Sequence, residues 1–127
     1  METLRRARET GRRGRAGGGV RGRCFWVLTR PVRGRLQVMS ARLPRGGSAV
    51  AVFSFEEEAR MFLALSPGGD GGGWAVRPTY PGEMASFLLD PCRQTGRVSL
   101  DPLPGADAAP VNALASMACR DFLGFLL

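Results

Sequence analysis

The sequence predicts a small α/β domain, or an α+β variant of it, built on a single mixed β-sheet of about five strands with two to three helices. Strand-like and helix-like segments alternate along its second half, which favours a sheet covered by helices. The length of 127 residues suits one domain, and an apolar fraction of 44% is sufficient for a core. The expected order of elements is β-β-β-α-β-α-β-α.

The first 23 residues are expected to lie outside this domain. They contain eight arginines against two glutamates and few large apolar side chains. Such a segment cannot offset its ordering entropy by burial, so we expect a disordered tail over 1–23 and one α/β domain over 24–127. Translation from a downstream start is the other interpretation, because GC-rich leader sequence read as protein gives a similar Arg-Gly-Ala mixture.

Three strands are predicted at the start of the domain. Residues 24–30 are aromatic and β-branched, residues 36–41 alternate in polarity, and residues 49–53 form a short apolar run. Proline and glycine in 31–34 and 44–47 supply the turns between them. We expect an antiparallel meander in which the third strand is buried.

A strong helical signal follows the third strand. Ser54 precedes Glu57 by three residues, which is the spacing of a capping box, and the carboxylates of 56–58 suit the positive end of a helix dipole. Apolar side chains then recur on one helical face at Phe55, Ala59, Phe62 and Leu63. These features predict a helix over about 55–65.

A flexible connection, a strand and a second helix are predicted next. The glycine-rich stretch 68–73 follows a helix and contains no Lys, so it does not fit a phosphate-binding loop. Residues 74–79 have strand composition, and Pro78 indicates a position at the edge of the sheet. Pro81 is suited to the first turn of a helix, and Asp90-Pro91 is expected to end it.

The chain is expected to close with a short strand and one long helix. Residues 97–100 form the strand, and the helix should extend from Pro110 to about Phe125. Its apolar face is predicted from side chains four residues apart, namely Leu114, Ala118 and Phe122.

The composition excludes several kinds of catalytic site. The chain has no His and no Lys, and all 18 of its cationic side chains are Arg. Without His there can be no Ser-His-Asp triad, no Cys-His dyad and no His-bound metal. No arrangement of carboxylates indicates an acid–base pair, so we expect no enzymatic activity, no cofactor and no metal. Abundant Arg, Gly and Ala with a single Asn and a single Tyr indicate a GC-rich, bacterial gene.

Three widely separated cysteines are present, with no C-x-x-C motif. Cys24, Cys92 and Cys119 are therefore expected to be free, mostly buried thiols in a reducing cytoplasm. A reactive thiolate at Cys92 is the alternative. No apolar run approaches the roughly 18 residues that a membrane span needs, and no signal peptide is evident. We therefore expect a cytoplasmic protein without a membrane partner.

From residue 49 onward the pattern resembles the N-terminal domain of the SseB-like (enhanced serine sensitivity) proteins. The matching segments are AVAVFSFEEEARMFL, WAVRPTYPGEMASFLL and RVSLDPLP, within about residues 49–125. The glycine-rich insert at 68–73 and the arginine-rich head depart from the family pattern. The resemblance implies a bacterial cytoplasmic α/β module without an established enzymatic site, so no catalytic residue is carried over.

Two functions follow as the main hypotheses, and an unrecognised enzyme that uses a carboxylate or Cys92 is a third, which would need a pocket lined with convergent polar groups. The first is an SseB-like interaction or regulatory module that contacts an unknown protein partner, with Trp74 and Tyr80 as candidate recognition aromatics. The second is nucleic-acid binding by the tail alone, because residues 24–127 have ten arginines against nine acids and are nearly neutral. The tail arginines that would contact phosphates are Arg5, Arg6, Arg8, Arg12, Arg13, Arg15, Arg21 and Arg23.

Overall fold

The structure, a computed structural model, describes residues 24–66 and 72–126, and these residues have the predicted mixed α/β fold. They contain seven strands in two sheets and five helices, so the prediction of one sheet of about five strands with two to three helices is wrong. They form strands and helices in the order β1 (Phe25–Val32), β2 (Arg35–Val38), β3 (Ser40–Arg42), β4 (Ser48–Val52), α1 (Glu56–Leu65), β5 (Ala75–Thr79), α2 (Pro81–Phe87), α3 (Leu89–Thr95), β6 (Arg97–Leu100), α4 (Ala109–Leu114), β7 (Ser116–Ala118) and α5 (Cys119–Leu126). A short 3₁₀ turn occurs at Ala106–Ala108, and Pro44–Gly46 forms the turn between β3 and β4. None of these helices is long and apolar enough to cross a membrane.

The strands form two sheets that meet where the chain bends between β2 and β3. One sheet has the order β2-β1-β5, and the other has the order β3-β4-β6-β7, in which only β4 and β6 are parallel. At the bend, Met39 N donates to Leu28 O (2.9 Å) and Met39 O accepts from Ala51 N (3.1 Å). Trp26 and Phe53 join the sheets by two further backbone bonds of 2.8 Å each. The one predicted strand over 36–41 is therefore two strands in different sheets.

The core is continuous across β1 and β4 because both strands are buried on both faces. One face, covered by α2, α3 and α5, contributes to a cluster of Phe25, Val27, Val50, Val52, Met84, Leu88, Val98, Cys119, Phe122 and Leu126. The other, covered by α1, contributes to a cluster of Leu28, Ala41, Ala51, Phe53, Ala59 and Phe62. Successive strand residues point to opposite faces, so a strand covered on both sides has a continuous apolar sequence. The predicted burial of residues 49–53 is confirmed.

The first helix is confirmed, but its predicted capping box is wrong. Helix α1 has three acidic residues in its first turn and begins after Phe55, which makes no side-chain capping bond. Ser54 N and Oγ instead donate to the carboxylate of Asp101, at 2.7 and 2.9 Å. A partner that is distant in sequence therefore replaces the local one expected at Glu57.

The predicted helix end at Asp90-Pro91 is also wrong. The chain turns at Leu88 and continues as α3 to Thr95. Pro91 is the third residue of α3, within the first turn, where helical geometry requires no backbone N–H donor. Gly96 ends the helix with φ 72°, a conformation that favours glycine.

The long C-terminal helix is wrong, because a strand interrupts it. Ala118 lies in β7 opposite Arg97, and β7 supplies the edge partner of β6. Leu114 is 88% exposed, whereas Phe122 is fully buried, so the two do not share a buried helical face. Pairing with β6 thus overrides the helical spacing.

The strand that contains Pro78 is predicted to lie at the edge of its sheet. This prediction is confirmed, since β5 is an outer strand of its sheet.

A disulfide between Cys92 and Cys119 contradicts the predicted free thiols. Their Cα atoms lie 5.9 Å apart, a normal distance for a disulfide. The bond leaves neither sulfur as a thiolate, so the alternative of a reactive Cys92 is wrong as well. A separation of 27 residues with no local motif gave no signal for pairing, which arises only when α3 packs beside the start of α5. Cys24 is free.

Candidate functional site

Within residues 24–127 the net positive charge is concentrated in the first two hairpins, because the acidic residues all lie after them. Residues 24–55 contain five arginines and no Asp or Glu, whereas residues 56–127 contain five arginines against nine acids. The nearly neutral sum over 24–127 conceals this separation. The five arginines of the first segment are Arg30, Arg33, Arg35, Arg42 and Arg45.

Each hairpin closes on a turn that places an arginine at its tip. Arg33 and Gly34 have φ of 52° and 78° between β1 and β2, and Arg45 and Gly46 have φ of 62° and 76° between β3 and β4. Two consecutive positive φ angles are typical of a type I′ turn, in which Asn-Gly is a preferred pair. Arg in a left-handed conformation costs roughly 1 kcal/mol. Both turns therefore have Arg where local stability favours Asn.

Strands β1 and β2 extend beyond the rest of their sheet as a two-stranded ribbon. Strand β5 pairs with β1 only as far as Thr29, whereas β2 pairs with β1 from Thr29 to Val32. All residues from 31 to 37 are exposed. We call residues 30–37 the basic ribbon.

Arg30 fixes the base of the basic ribbon. Its Nε donates to Gln37 Oε1 at 2.7 Å and its Nη1 donates to Gly72 O at 3.3 Å. The guanidinium also lies over the ring of Trp74, 4.7 Å from the ring centroid. These contacts fix the position of the Arg30 side chain, so Arg33 and Arg35 extend from a ribbon whose base is well packed.

A groove lies beside the second turn. Its volume is about 510 Å³, and residues 40–48 together with Ala109 line it. The lining includes Arg42, Arg45, Ser40 and Ser48, and none of the lining residues is acidic. Guanidinium and hydroxyl donors without a competing carboxylate favour an anionic ligand. We call this feature the arginine groove.

A pair of carboxyl groups lies at the carboxyl ends of the parallel strands β4 and β6. Asp101, with φ 52°, accepts two bonds from Ser54 and donates its backbone N–H to Val52 O at 2.7 Å. A hydrogen bond to Asp101 raises the pKa of Glu58, with smaller contributions from burial and from repulsion by Asp101 and Glu57. The described ranges contain no group of three His, Cys, Asp or Glu that could hold a metal. The arrangement fastens the start of α1 to the end of β6.

The Glu58–Asp101 pair gives a testable dependence on pH. Because the folded pKa of Glu58 is raised, its protonated form stabilises the fold below the ordinary glutamate value, and this contribution is lost as pH rises through the folded pKa. Glu58→Gln keeps a donor for Asp101 and removes the titration. Since Glu58 is exposed, we expect a gain of only about 0.2–1 kcal/mol in unfolding free energy at neutral pH.

Denaturant unfolding below and above the ordinary glutamate pKa measures this effect. Glu57→Gln is the matched control, because it removes one carboxylate from the same helical turn. The control should retain most of the pH dependence of the unaltered protein, because repulsion by Glu57 is the smallest of the contributions that raise the pKa of Glu58. If Glu58→Gln retains that dependence in full, the pair does not contribute as described.

The structure does not bring the predicted aromatic residues together. Trp74 is half-buried against the smaller core cluster beneath Arg30, so it braces the basic ribbon. Tyr80 is 54% exposed at the opposite end of β5, where it precedes α2. The predicted nucleic-acid-binding arginines lie outside the described residues: Arg5, Arg6, Arg8, Arg12, Arg13, Arg15, Arg21 and Arg23.

Sequence reasoning missed the arginines of the first two hairpins because it summed the charge over the whole domain. A count over 24–55 alone would have identified the excess. The exposure of the ribbon and the conformation of its turn are visible only in the fold.

No match to this chain is found among protein-family models, curated proteins or solved structures. Its geometry and charge are therefore the basis on which a function is inferred, and the SseB-like resemblance stays a prediction.

Proposed function

We propose that this chain is a non-enzymatic protein that binds the phosphate backbone of nucleic acid through the basic ribbon and the arginine groove. The observation that supports this most directly is the presence of Arg at the tips of two type I′ turns, in a segment without any acidic residue. A residue held in an unfavourable conformation at an exposed position is often retained for a ligand. Arginine matches phosphate geometry through its planar fork of donors.

Four arginines of the first two hairpins are free to contact phosphates. In the part of the chain that the structure describes, the guanidinium groups of Arg33, Arg35, Arg42 and Arg45 make no hydrogen bond or ion pair. Three of the five arginines in residues 56–127 are engaged: Arg60 pairs with Glu56, Arg77 pairs with Glu83, and Arg97 donates to Ser116. The two halves of the domain thus differ in available charge as well as in net charge.

The absence of enzymatic activity is part of the proposal. Burial raises the pKa of the Cys24 thiol, Glu83 and Glu56 raise it further, and a backbone hydrogen bond from Thr79 opposes them. A thiol with a raised pKa is a poor nucleophile at neutral pH. The other two cysteines are bonded to each other.

Removing the four free arginines tests the proposed function in the full-length chain. The combined replacement of Arg33, Arg35, Arg42 and Arg45 by Gln should weaken binding to a fluorescent DNA oligonucleotide on the order of 100-fold. The slope of log affinity against log salt should fall by about one for each arginine removed. The matched control replaces Arg60, Arg77, Arg97 and Arg120 by Gln, which removes the same charge and should leave most of the affinity.

A third variant distinguishes the hairpins from the tail. Replacing the eight tail arginines by Gln in the full chain should leave binding that still depends on the four hairpin arginines. If that variant abolishes binding while the hairpin variant binds normally, the tail acts alone and the hairpin proposal is wrong. Equal losses in the hairpin variant and its control would also overturn it, because binding would then follow net charge only.

Replacing Arg33 and Arg45 by Asn separates stability from binding. Asn fits both turns better, so the double variant should gain about 0.5–1 kcal/mol of unfolding free energy per turn. Its affinity for the oligonucleotide should fall at least about 10-fold, because two phosphate contacts are lost. Denaturant unfolding and a binding titration measure the two effects. A more stable variant that binds as tightly as the unaltered protein would show that the tip arginines have no role in binding.

A protein partner is the second candidate function, as the SseB-like resemblance implies. The observation that favours it is exposed apolar surface around α4, where Leu103 and Val111 are each 52% exposed and Leu114 is 88% exposed. Chemical crosslinking at native expression levels, compared between the unaltered chain and Leu114→Ser, tests it. Loss of a crosslinked species in the variant supports a partner at α4, and an unchanged pattern contradicts one there.

The sequence predicts a cytoplasmic protein, whereas the disulfide between Cys92 and Cys119 favours an oxidising compartment, because disulfides persist mainly there. Lysis directly into denaturant that contains an alkylating reagent, followed by mass measurement, tests the compartment because buried thiols are then accessible. A cytoplasmic protein should have Cys92 and Cys119 alkylated together with Cys24. Alkylation of Cys24 alone would show that the disulfide persists and would contradict a reducing cytoplasm.

A further inference from the structure

We infer that the ligand is B-form duplex DNA and that the basic ribbon enters its major groove, an inference that rests on the proposed function. The ribbon consists of only two strands beyond Thr29, and its residues 31–37 are exposed. Paired strands lie about 4.8 Å apart, and the major groove of B-DNA, about 12 Å wide, admits a two-stranded ribbon. The third strand of the sheet ends before the part that would be inserted.

The side chains of the ribbon suit such a groove. Strand pairing places Val32 opposite Arg35 on one face and Pro31 opposite Leu36 on the other. Val32 and Leu36 are large apolar side chains, yet they are 39% and 44% exposed, and neither contributes to the core clusters. In the major groove, apolar side chains can contact thymine methyl groups while Arg33 and Arg35 reach phosphates or guanine edges.

The arginine groove supplies a second contact surface, which is concave where the ribbon is convex. This concave surface lies beside Arg42 and Arg45, and a duplex likewise presents grooves that alternate with phosphate ridges. The chain between Arg33 and Arg45 can span at most about 40 Å, which corresponds to about 12 base pairs. The two turns lie at opposite ends of the stretch formed by β2, Met39 and β3, so a duplex must have about that length to contact both.

A single strand fits this surface poorly because the surface offers no aromatic platform. Single-strand binding relies on bases stacked on exposed aromatic rings. In the described part of the chain, Trp74 has its ring covered by Arg30, and the exposed aromatics Phe55, Tyr80 and Phe125 lie before α1, before α2 and in α5. None of these three is in the basic ribbon or lines the arginine groove.

Duplex RNA is disfavoured for a different reason. The major groove of an A-form helix is deep and narrow, and side chains cannot read it. The ribbon would be restricted to surface phosphates on such a helix. Comparison of DNA and RNA duplexes of one sequence therefore tests insertion directly.

The experiment titrates the full chain with four fluorescent ligands of one sequence, each about 12 nucleotides or base pairs long. They are a DNA duplex, a DNA single strand, an RNA duplex, and a DNA duplex whose thymines have bulky C5 substituents that fill the major groove. The unmodified DNA duplex should bind roughly 10-fold more tightly than each of the other three at about 0.1 M salt. Arg35→Gln should reduce that preference, whereas Arg120→Gln, a change in α5, should leave it intact.

Each other outcome has a defined meaning. Equal affinity for the DNA and RNA duplexes, or for the modified and unmodified DNA, overturns insertion in the major groove. Tighter binding of the single strand overturns the choice of duplex but leaves nucleic-acid binding in place. A failure of all four ligands to bind overturns the proposed function itself.

Discussion

Replacing Asn112 by Asp is expected to lower the free energy of unfolding by about 3–5 kcal/mol. Asn112 is 1% exposed, and its side chain bonds only to backbone groups. Its Oδ1 accepts from Leu103 N at 2.8 Å, and its Nδ2 donates to Leu103 O at 3.0 Å and to Arg42 O at 3.2 Å. A carboxylate has no donors for the two carbonyl oxygens and would bury an unpaired charge against them. The effect is large because one amide connects β3, the loop after β6, and α4.

Denaturant unfolding of Asn112→Asp measures this loss. Gln94→Glu is a suitable control, because it makes the same change from amide to carboxylate at an exposed position in α3. The control should lie within about 0.5 kcal/mol of the unaltered protein. If Asn112→Asp unfolds at nearly the same denaturant concentration as the unaltered chain, the buried amide does not stabilise the fold as its contacts indicate.

Removing the disulfide is expected to reduce stability by a similar amount. Cys92 and Cys119 close a loop of 27 residues, for which the chain-entropy model gives about 3–4 kcal/mol. The loop includes β6, α4 and β7, so the crosslink limits the unfolded chain over a large part of the second sheet. Both sulfurs also pack with the larger core cluster, so a cavity adds to the loss in a Cys-to-Ala variant.

Thermal unfolding with and without a reducing agent tests the crosslink. The double variant Cys92→Ala and Cys119→Ala, and the reduced unaltered protein, should both melt roughly 15–20 °C below the oxidised protein. Cys24→Ala is the control, because Cys24 is free and half-buried, and its melting should still respond to the reducing agent. Unaltered melting after verified reduction would show that the crosslink contributes no stability.

Features encoded by local patterns could be predicted from the sequence. The apolar run 49–53 is a buried strand, acidic residues and spaced apolar residues mark α1, and Pro78 lies in an edge strand. Each depends on neighbours within one or two turns of helix or a few residues of strand. Local chemistry was therefore enough to place them.

Features decided by distant partners could not be predicted. Ser54 bonds to Asp101 rather than capping α1, Ala118 pairs with Arg97 rather than extending a helix, and the disulfide joins separate helices. In every case a contact formed in the folded state replaced the local arrangement that the sequence favours.

The candidate site lies between these two cases. The excess of arginine over 24–55 could be predicted from residue counts, because no acid occurs in that segment. The ribbon could not be predicted from the sequence, since it depends on where β5 stops pairing with β1 and on the bend at Met39. The positive φ angles of Arg33 and Arg45 are likewise consequences of hairpin closure.

Backbone amide chemical shifts of the full-length protein, recorded during titration with a DNA duplex of about 12 base pairs, locate the binding surface most directly. Binding through the basic ribbon and the arginine groove predicts that the largest shift changes fall within residues 30–37 and 40–48. Shift changes confined to the tail over 1–23, or centred on α4 and Leu103, would contradict it.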